Sequence, residues 1–159
     1  MTTHPHPPAT LDAEGIASCI PHQGRMALLQ SLLAWSSGHI VCNATSHQDA
    51  SNPLLMGGVL WSVCAIEYAS QAMALHGVLS TDLGTAALSS AKPRAGFLAS
   101  VRGVQLQVLR LDTVPGALQV AAYRLAGDAR LASYRFELHS AAGALLAAGR
   151  ASVILDARP

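Results

Sequence analysis

The segment Leu54–Leu79 constrains the fold of this chain more than any other part of its sequence. It is rich in Ala, Leu and Met, it contains no proline, and Glu67 is its only charged side chain. This composition predicts one long helix, with Gly57-Gly58 letting the backbone turn into it and Gly77 as a candidate C-terminal end. One face carries small residues at helical spacing, namely Ser62, Ala65, Ala69 and Ala72. A helix that is apolar nearly all round must be covered by other elements on most sides.

The rest of the chain predicts β-strands. Met26–Trp35 and His39–Thr45 are separated by a turn at Ser36-Ser37-Gly38, which is typical of a hairpin. A loop at Ser80–Pro93 follows the predicted helix. Turn residues then separate further predicted strands at Ala95–Leu111, Ala117–Leu125, Arg130–His139 and Leu145–Leu155. This order predicts an α+β hot-dog fold, a long antiparallel sheet wrapped around one central helix, although an α+β sandwich of another topology fits the same order.

Length and composition limit the kinds of protein this chain can be. A chain of 159 residues has room for one domain core. Hydrophobic residues make up 51% and charged residues 12% of it, so we expect some apolar surface to be buried between subunits. A net charge of +1 without a basic cluster argues against nucleic-acid and membrane partners. No apolar stretch is long enough to span a bilayer, and we expect a soluble, cytoplasmic protein.

The chain is expected to begin with a short lead-in. Residues 1–19 are interpreted as this lead-in, partly disordered with a weak helical pattern in Leu11–Ile20, and residues 20–156 as a single domain. Met1–Thr10 lacks the apolar run of a signal peptide. The three cysteines match neither a zinc site nor a disulfide framework, so Cys19, Cys42 and Cys64 are expected to be reduced.

Glu67 is the strongest candidate for chemistry. Burying an ionised carboxylate in apolar surroundings is costly, so the group should either find a partner or take up a proton. A raised pKa would suit a general acid working near neutral pH. A glutamate bound to a strand arginine, or one on a wetter helix face than the sequence suggests, would instead be structural.

Other residues are weaker candidates. His47 follows the second predicted strand and is either a general base, with Asp49 to orient it, or a loop histidine bonded to backbone. Gln71 lies four residues after Glu67, on the same helix face, where it can hydrogen-bond the carboxylate. The N–H groups of Gly57-Gly58 could hold a thioester oxygen, or the glycines merely start a helix. The remaining histidines show no metal spacing and are interpreted as structural or exposed: His22, His39, His76 and His139.

Several motifs resemble those of 3-hydroxyacyl-ACP dehydratases of fatty acid synthesis. Ile20-Pro21-His22-Gln23-Gly24-Arg25-Met26, followed by an apolar run, resembles the motif that precedes their first strands. Gly58-Val59-Leu60 and Glu67-Tyr68-Ala69-Ser70-Gln71-Ala72 resemble their central helix, and Val114-Pro115-Gly116 resembles a later turn.

A second resemblance is closer still, to the dehydratase-related proteins of aryl-polyene clusters. It is carried by Asn52-Pro53-Leu54, by Ile66–Ala74 and by Leu98-Ala99-Ser100-Val101-Arg102. The resemblance covers Ile20 to Leu155 and is strongest in the helix.

These resemblances imply a hot-dog dehydratase that removes water from a 3-hydroxyacyl thioester on acyl carrier protein. His47 of one protomer would take the proton from C2, and Glu67 of the other would protonate the departing 3-hydroxyl. Gly58 would polarise the thioester carbonyl, with Gly57 and Gln71 also on the substrate side. The implied chemistry requires no metal and no organic cofactor. The implied partners are acyl carrier protein and a second hot-dog subunit, in a homodimer or a heterodimer.

The chain departs from the fatty-acid enzymes in one respect. The interval from His47 to Glu67 is longer, and Gly57-Gly58 replaces a Pro-Gly pair. An added helical turn there would move the carbonyl-binding N–H groups away from Glu67. Two other functions therefore stay open: a hot-dog thioesterase whose helix carboxylate acts as base or nucleophile, and a non-catalytic subunit that supports a catalytic hot-dog partner.

Overall fold

A computed structural model describes residues 10–80, 97–128 and 130–154 of the chain. Its helices are α1 (Ala13–Cys19) and α2 (Ala65–Leu79), and its strands are β1 (Ser31–Ser36), β2 (His39–Ala44), β3 (Phe97–Leu106), β4 (Leu118–Gly127), β5 (Leu131–His139) and β6 (Leu145–Ile154). The strands form one antiparallel sheet in the order β1-β2-β4-β5-β6-β3. Neither of these helices is long and apolar enough to cross a membrane.

The sheet wraps around α2, which confirms the predicted hot-dog fold. Helix α2 packs against β2, β4, β5 and β6. Its small face is fully buried at Ala65, Ala69 and Ala72, because side chains without bulk let the helix approach the sheet closely. On β5 the residues alternate strictly between buried and part-exposed positions, as expected of a strand with one face on the core.

Helix α1 belongs to the packed structure although it lies within the predicted lead-in. Asp12 caps it by accepting a hydrogen bond from the Gly15 N–H at 2.8 Å. Ile16 and Cys19 of α1 are buried in the same core as α2. The predicted disorder of the first residues concerns positions 1–9, and these lie outside the described part of the chain.

The predicted start of the long helix is wrong, because α2 begins at Ala65 and not near Leu54. Gly57 and Gly58 have φ angles of 60° and 76°, and they form a turn in which Met56 and Val59 exchange backbone hydrogen bonds. The residues after this turn pair with residues 109–112 instead of coiling: the Leu60 carbonyl accepts from the Leu111 N–H, and the Ser62 N–H donates to the Leu109 carbonyl. Apolar composition alone therefore shows neither a helix nor burial here: Leu60 is fully buried, whereas Met56 and Val63 are 71% and 55% exposed.

Two other predicted boundaries also differ. Helix α2 runs past Gly77 to Leu79 and ends on Ser80. Strand β1 begins at Ser31 and not at Met26, because the backbone of Met26 and Leu28 hydrogen-bonds to the side chain of Gln71 instead of a neighbouring strand. The predicted hairpin turn between β1 and β2 is confirmed, and the predicted loop Ser80–Pro93 lies almost wholly outside the described residues. The cysteines in the described residues are free, as expected.

Gly149 allows β6 to pass closely over an aromatic ring. A Cβ at this position would lie 2.8 Å from Cζ of Phe136, a fully buried side chain that has no space to move. We therefore expect Gly149→Ala to lower the free energy of unfolding by about 1–3 kcal/mol in urea denaturation. Gly38→Ala is the matched control, since the nearest atom to its Cβ is Ser36 Oγ at 3.9 Å. Equal losses in the two variants would contradict this account of Gly149.

A buried histidine ties the end of α2 to the β1–β2 turn. His76 Nε2 lies 2.7 Å from the Ser36 carbonyl oxygen, so this nitrogen donates, and Nδ1 accepts from the Tyr134 hydroxyl at 2.8 Å. His76 is fully buried. Burial lowers its pKa below the ordinary 6.5, with Arg124 and His39 acting in the same direction and the bond to the Ser36 carbonyl opposing them.

This histidine makes the fold sensitive to acid. Because the folded state binds the proton less readily than the unfolded chain, the contribution of His76 is complete above pH 6.5 and is lost as the pH falls through its lower folded pKa. We expect the free energy of unfolding to decline between about pH 7 and pH 5. His76→Gln should flatten that decline, and an unchanged slope in urea titrations would contradict the assignment.

Candidate active site at the start of the central helix

Glu67 lies in the first turn of α2, because the helix begins at Ala65 and not near Leu54. At this end the helix dipole and the free N–H groups favour a negative charge. The side chain of Glu67 is 31% exposed, so its carboxylate is open to a ligand without being freely solvated. The carboxylate is therefore accessible and held at the same time.

Hydrogen-bond donors from two parts of the chain hold this carboxylate. His22 Nε2 lies 3.0 Å from Oε1, and Gln71 Nε2 donates to the same oxygen at 3.0 Å. Ser70 Oγ donates to Oε2 at 3.4 Å. The hydrogen bond predicted between Gln71 and Glu67 is confirmed. Oε2 therefore keeps only one long contact and is the oxygen free to meet a substrate.

Of the two alternatives expected for Glu67, a partner or uptake of a proton, the structure shows the first, and the pKa is not raised. Burial does raise the pKa, but hydrogen bonds from His22 and Gln71, the charge of His22 and a weaker bond from Ser70 outweigh it. The pKa consequently lies below the ordinary 4.5, and the resting carboxylate is ionised at neutral pH. The sequence showed that the carboxylate is isolated along the helix but not which distant groups would surround it.

His22 is the site residue that the sequence interpretation missed. It was interpreted as structural or exposed, but its Nε2 contacts Glu67 and its Nδ1 is buried without a hydrogen-bond partner among the described residues. The two residues are far apart in the chain, so helical spacing could not connect them. The available signal was the motif Ile20–Met26, which contains His22 and resembles a dehydratase motif.

Gln71 fixes the segment after His22 to the helix. Its Nε2 also donates to the Met26 carbonyl at 2.7 Å, and its Oε1 accepts from the Leu28 N–H at 2.9 Å. Gln71 is fully buried, and protein groups occupy both of its amide donors. This geometry makes Gln71 a support for Glu67, and contact of Gln71 with substrate stays a prediction.

His47 lies in a 3₁₀ turn, Ser46–Gln48, after β2 and is 1% exposed. Its Nε2 is 3.0 Å from the carbonyl oxygen of Val114, which can only accept, so Nε2 carries the hydrogen and Nδ1 a lone pair. Nδ1 is buried and has no hydrogen-bond partner among residues 10–80, 97–128 and 130–154. Burial lowers the pKa of His47, while bonds to Val114 and Gly116 and the charge of Asp112 oppose this fall. A neutral ring with a free lone pair is the form a general base requires.

Asp49 does not orient His47. Its Oδ1 accepts hydrogen bonds from the backbone N–H and the hydroxyl of Ser51, and these bonds lower the pKa of Asp49. The orienting group is the Val114 carbonyl, in the Val114-Pro115-Gly116 turn that the sequence singled out for its resemblance.

Within one protomer, no hydrogen bond joins His47 to Glu67 among the described residues. The two are connected through Tyr68, which follows Glu67 and is fully buried. The Tyr68 hydroxyl lies 2.8 Å from Ser46 Oγ and accepts from Asn52 Nδ2 at 3.2 Å. The turn that carries His47 is thus fixed to the same end of α2 as Glu67.

Gly57 and Gly58 do not lie at the helix N-terminus, so their predicted place beside the helix dipole is wrong. In the described part of the chain, neither of their N–H groups donates a hydrogen bond. The longer interval before Glu67 consists of this turn, a paired segment and a 3₁₀ turn at Ser62–Cys64, not of an added α-helical turn.

Apolar side chains lie exposed near the start of α2. Trp61 is 38% and Val63 is 55% exposed, just ahead of the helix, and Met56 is 71% exposed in the glycine turn. Exposed apolar residues beside a held carboxylate are typical of a site that another molecule covers. No cluster of His, Cys, Asp or Glu within the described ranges could hold a metal ion.

Comparison with solved structures places this architecture among hot-dog proteins. A chain of the dehydratase heterocomplex ApeI:P from Xenorhabdus doucetiae superposes with a TM-score of 0.76 at 24% identity, covering 93% of both chains. Zebra fish thioesterase superfamily member 2 gives 0.60 at 16% identity over 90% of this chain and 92% of that one. AziG from S. sahachiroi gives 0.55 at 17% identity over 79% and 89%. At these identities the likeness establishes the fold alone.

The sequence itself identifies the family. No curated protein matches the chain significantly. The sequence model of the ApeP-like family, described as ApeP dehydratase, matches residues 14–157, which span both Glu67 and His47. The chain belongs to the ApeP-like dehydratase family.

Proposed function

We propose that this chain acts as a 3-hydroxyacyl-[acyl carrier protein] dehydratase, converting a 3-hydroxyacyl thioester to the 2-enoyl thioester in fatty-acid-like or aryl-polyene biosynthesis. The observation that carries the proposal is the part-exposed Glu67 carboxylate, held through Oε1 by His22 and Gln71 at the start of the central helix. Membership of the chain in the ApeP-like dehydratase family supports the same reaction class.

The elimination requires one base and one acid. The thioester acidifies the C–H bonds at C2, and a base takes one of these protons. The electron pair forms the C2–C3 double bond, and the C3–O bond breaks. The oxygen leaves as water after it receives a proton from an acid. We assign Glu67 to the 3-hydroxyl, because its side chain is part-exposed and its Oε2 has only one long protein contact.

His47 is the proposed base. Its Nδ1 lone pair is free, and its lowered pKa keeps the ring neutral. Because His47 and Glu67 share no hydrogen bond within one protomer, we propose that His47 of one protomer faces the carboxylate of its partner. The unbonded N–H groups of Gly57 and Gly58 are the proposed donors to the thioester carbonyl.

The edge strand β3 is the proposed surface for the second hot-dog subunit. Among the described strands it pairs only with β6, and apolar side chains along it are exposed, with Phe97 at 55%, Leu98 at 41% and Leu106 at 41%. An unpaired edge with exposed apolar residues is expected to bind another chain. The ApeI:P structure is a heterocomplex, which supports a heterodimer here, with a homodimer as the alternative. The acyl carrier protein that delivers the substrate is the other proposed partner.

Testing this proposal needs the chain both alone and mixed with a second hot-dog subunit. Each sample is given a 3-hydroxyacyl-[acyl carrier protein], and the conjugated enoyl thioester is followed by its ultraviolet absorption. Enoyl product from the chain alone, or product in the mixed sample that is lost when Glu67 is changed, supports the dehydratase assignment, and absence of product from both samples contradicts it.

Two observations favour other candidate functions. The ionised state of Glu67 suits a thioesterase, in which a carboxylate activates water or attacks the thioester carbon. The near-complete burial of His47 suits a non-catalytic subunit whose partner supplies the base. Activity confined to the mixed sample and unaffected by a change at Glu67 would identify the non-catalytic subunit.

A further inference from the structure

Glu67 has no proton to give in its resting state. The hydrogen bonds from His22 and Gln71 outweigh burial and keep its pKa below the ordinary 4.5. The proposed elimination nevertheless requires a proton for the departing hydroxyl. That proton must therefore reach Glu67 from another group.

The titratable groups that face Glu67 are few. His22 contacts it from the segment before β1, and Cys64 faces it from the 3₁₀ turn before α2. Burial and the charge of Glu67 raise the pKa of Cys64, so this thiol holds its proton. Ser70 and Gln71 donate hydrogen bonds but do not titrate near neutral pH. The remaining group is His22, and an imidazole ring can both donate and accept a proton.

Among the described residues, Glu67 is the one hydrogen-bond partner of the His22 ring. Nε2 lies 3.0 Å from Glu67 Oε1, which is within hydrogen-bonding reach. Nδ1 is buried, and no described residue hydrogen-bonds it. Glu67 is thus the one polar contact of the His22 ring in the described part of the chain.

We propose that His22 is the proton reservoir of Glu67: a positioning residue whose protonated ring holds the carboxylate ionised between turnovers and passes its Nε2 proton to Oε1 as the 3-hydroxyl leaves. This inference rests on the proposed dehydratase function.

The protons balance over one turnover. Imidazolium and carboxylate become neutral imidazole and carboxylic acid, and the carboxylic acid protonates the 3-hydroxyl. The C3–O bond breaks with its electron pair on oxygen, water leaves, and Glu67 is again a carboxylate. His47 releases the C2 proton to solvent, and His22, whose side chain is 24% exposed, takes one up from solvent.

His22→Gln separates proton transfer from simple positioning. The glutamine amide keeps an N–H donor for Glu67 but cannot give up a proton. We expect kcat/KM for dehydration to fall about 10- to 100-fold at neutral pH, with loss of the part of the pH profile that depends on residue 22. His139→Gln, a histidine on β5 that faces Glu137, is the matched control and should leave the profile unchanged.

A measurement independent of activity tests the same pair. The chain contains only the glutamates Glu14, Glu67 and Glu137, so protein labelled with carboxyl-¹³C glutamate gives three side-chain signals. The signal lost in Glu67→Gln identifies Glu67. Because His22 helps to lower the pKa of Glu67, His22→Gln should shift the titration of that signal to higher pH, and His139→Gln should not.

The outcomes separate this inference from the proposed function. Full activity with an unchanged pH profile in His22→Gln, or an unmoved Glu67 titration, would overturn the proton reservoir and leave the dehydratase assignment in place. If the wild-type protein shows no dehydration, alone or with its partner, the dehydratase assignment is overturned. The proposed role of His22 as proton reservoir is then overturned too, even if the Glu67 signal shifts as expected.

Discussion

Replacing Glu67 with glutamine is expected to lower kcat/KM for dehydration by about 100- to 10,000-fold, because the amide cannot protonate the departing hydroxyl. Glutamine has nearly the same shape and can still accept a hydrogen bond from His22 and Gln71, so the helix start should stay intact. The measurement is enoyl thioester formation at saturating and limiting substrate, with urea denaturation to confirm that the variant is folded.

Glu137→Gln provides the control for this loss. Glu137 is a partly exposed glutamate on β5 that pairs with Arg135 at the surface and lies outside the site. Its replacement should leave kcat/KM unchanged. Equal activity of Glu67→Gln and the wild-type protein would contradict the assignment of Glu67 as the acid.

Replacing His47 with glutamine is expected to reduce dehydration by a similar factor, about 100- to 10,000-fold, while any thioester hydrolysis survives. The glutamine amide keeps an N–H donor for the Val114 carbonyl. Without such a donor, this buried carbonyl would lose the hydrogen bond that His47 provides. The amide lacks the lone pair and the proton affinity of Nδ1. Dehydration and hydrolysis are measured on the same 3-hydroxyacyl thioester.

His39→Gln is the control here, since His39 lies on β2 and bonds only Ser36 Oγ among the described side chains. A loss of dehydration in both histidine variants would indicate damage to the fold and not loss of a base. Undiminished dehydration in His47→Gln would place the base on another residue, and loss of hydrolysis along with dehydration would indicate a shared structural role.

The sequence predicted the order of the helix and strands well, because segments with strand or helix composition are separated by turn residues along the chain. Turn residues between the later segments predicted strands such as Arg130–His139, which agrees with β5 within one residue. The start of α2 was wrong because apolar composition does not by itself report conformation. The segment before Ala65 pairs with residues 109–112, a contact that no local pattern could show.

The candidate site was predictable where its contacts are local. Gln71 was expected to hydrogen-bond Glu67 because the two are one helical turn apart, and it does. His22 and the Val114 carbonyl reach their partners only through the fold, so spacing could not reveal them. The sequence could not decide between a partner and proton uptake for Glu67 for the same reason: it shows apolar neighbours on the helix, whereas His22 comes from a distant segment.

The most direct test of the dehydratase assignment is the mass of the acyl carrier protein after incubation with the wild-type chain and its hot-dog partner. A dehydratase leaves the acyl group on the carrier and removes the mass of one water, and Glu67→Gln should abolish that loss. A carrier returned to its free thiol would show hydrolysis instead, and a carrier with unchanged mass would show no reaction. Either of these results would contradict the account given for Glu67.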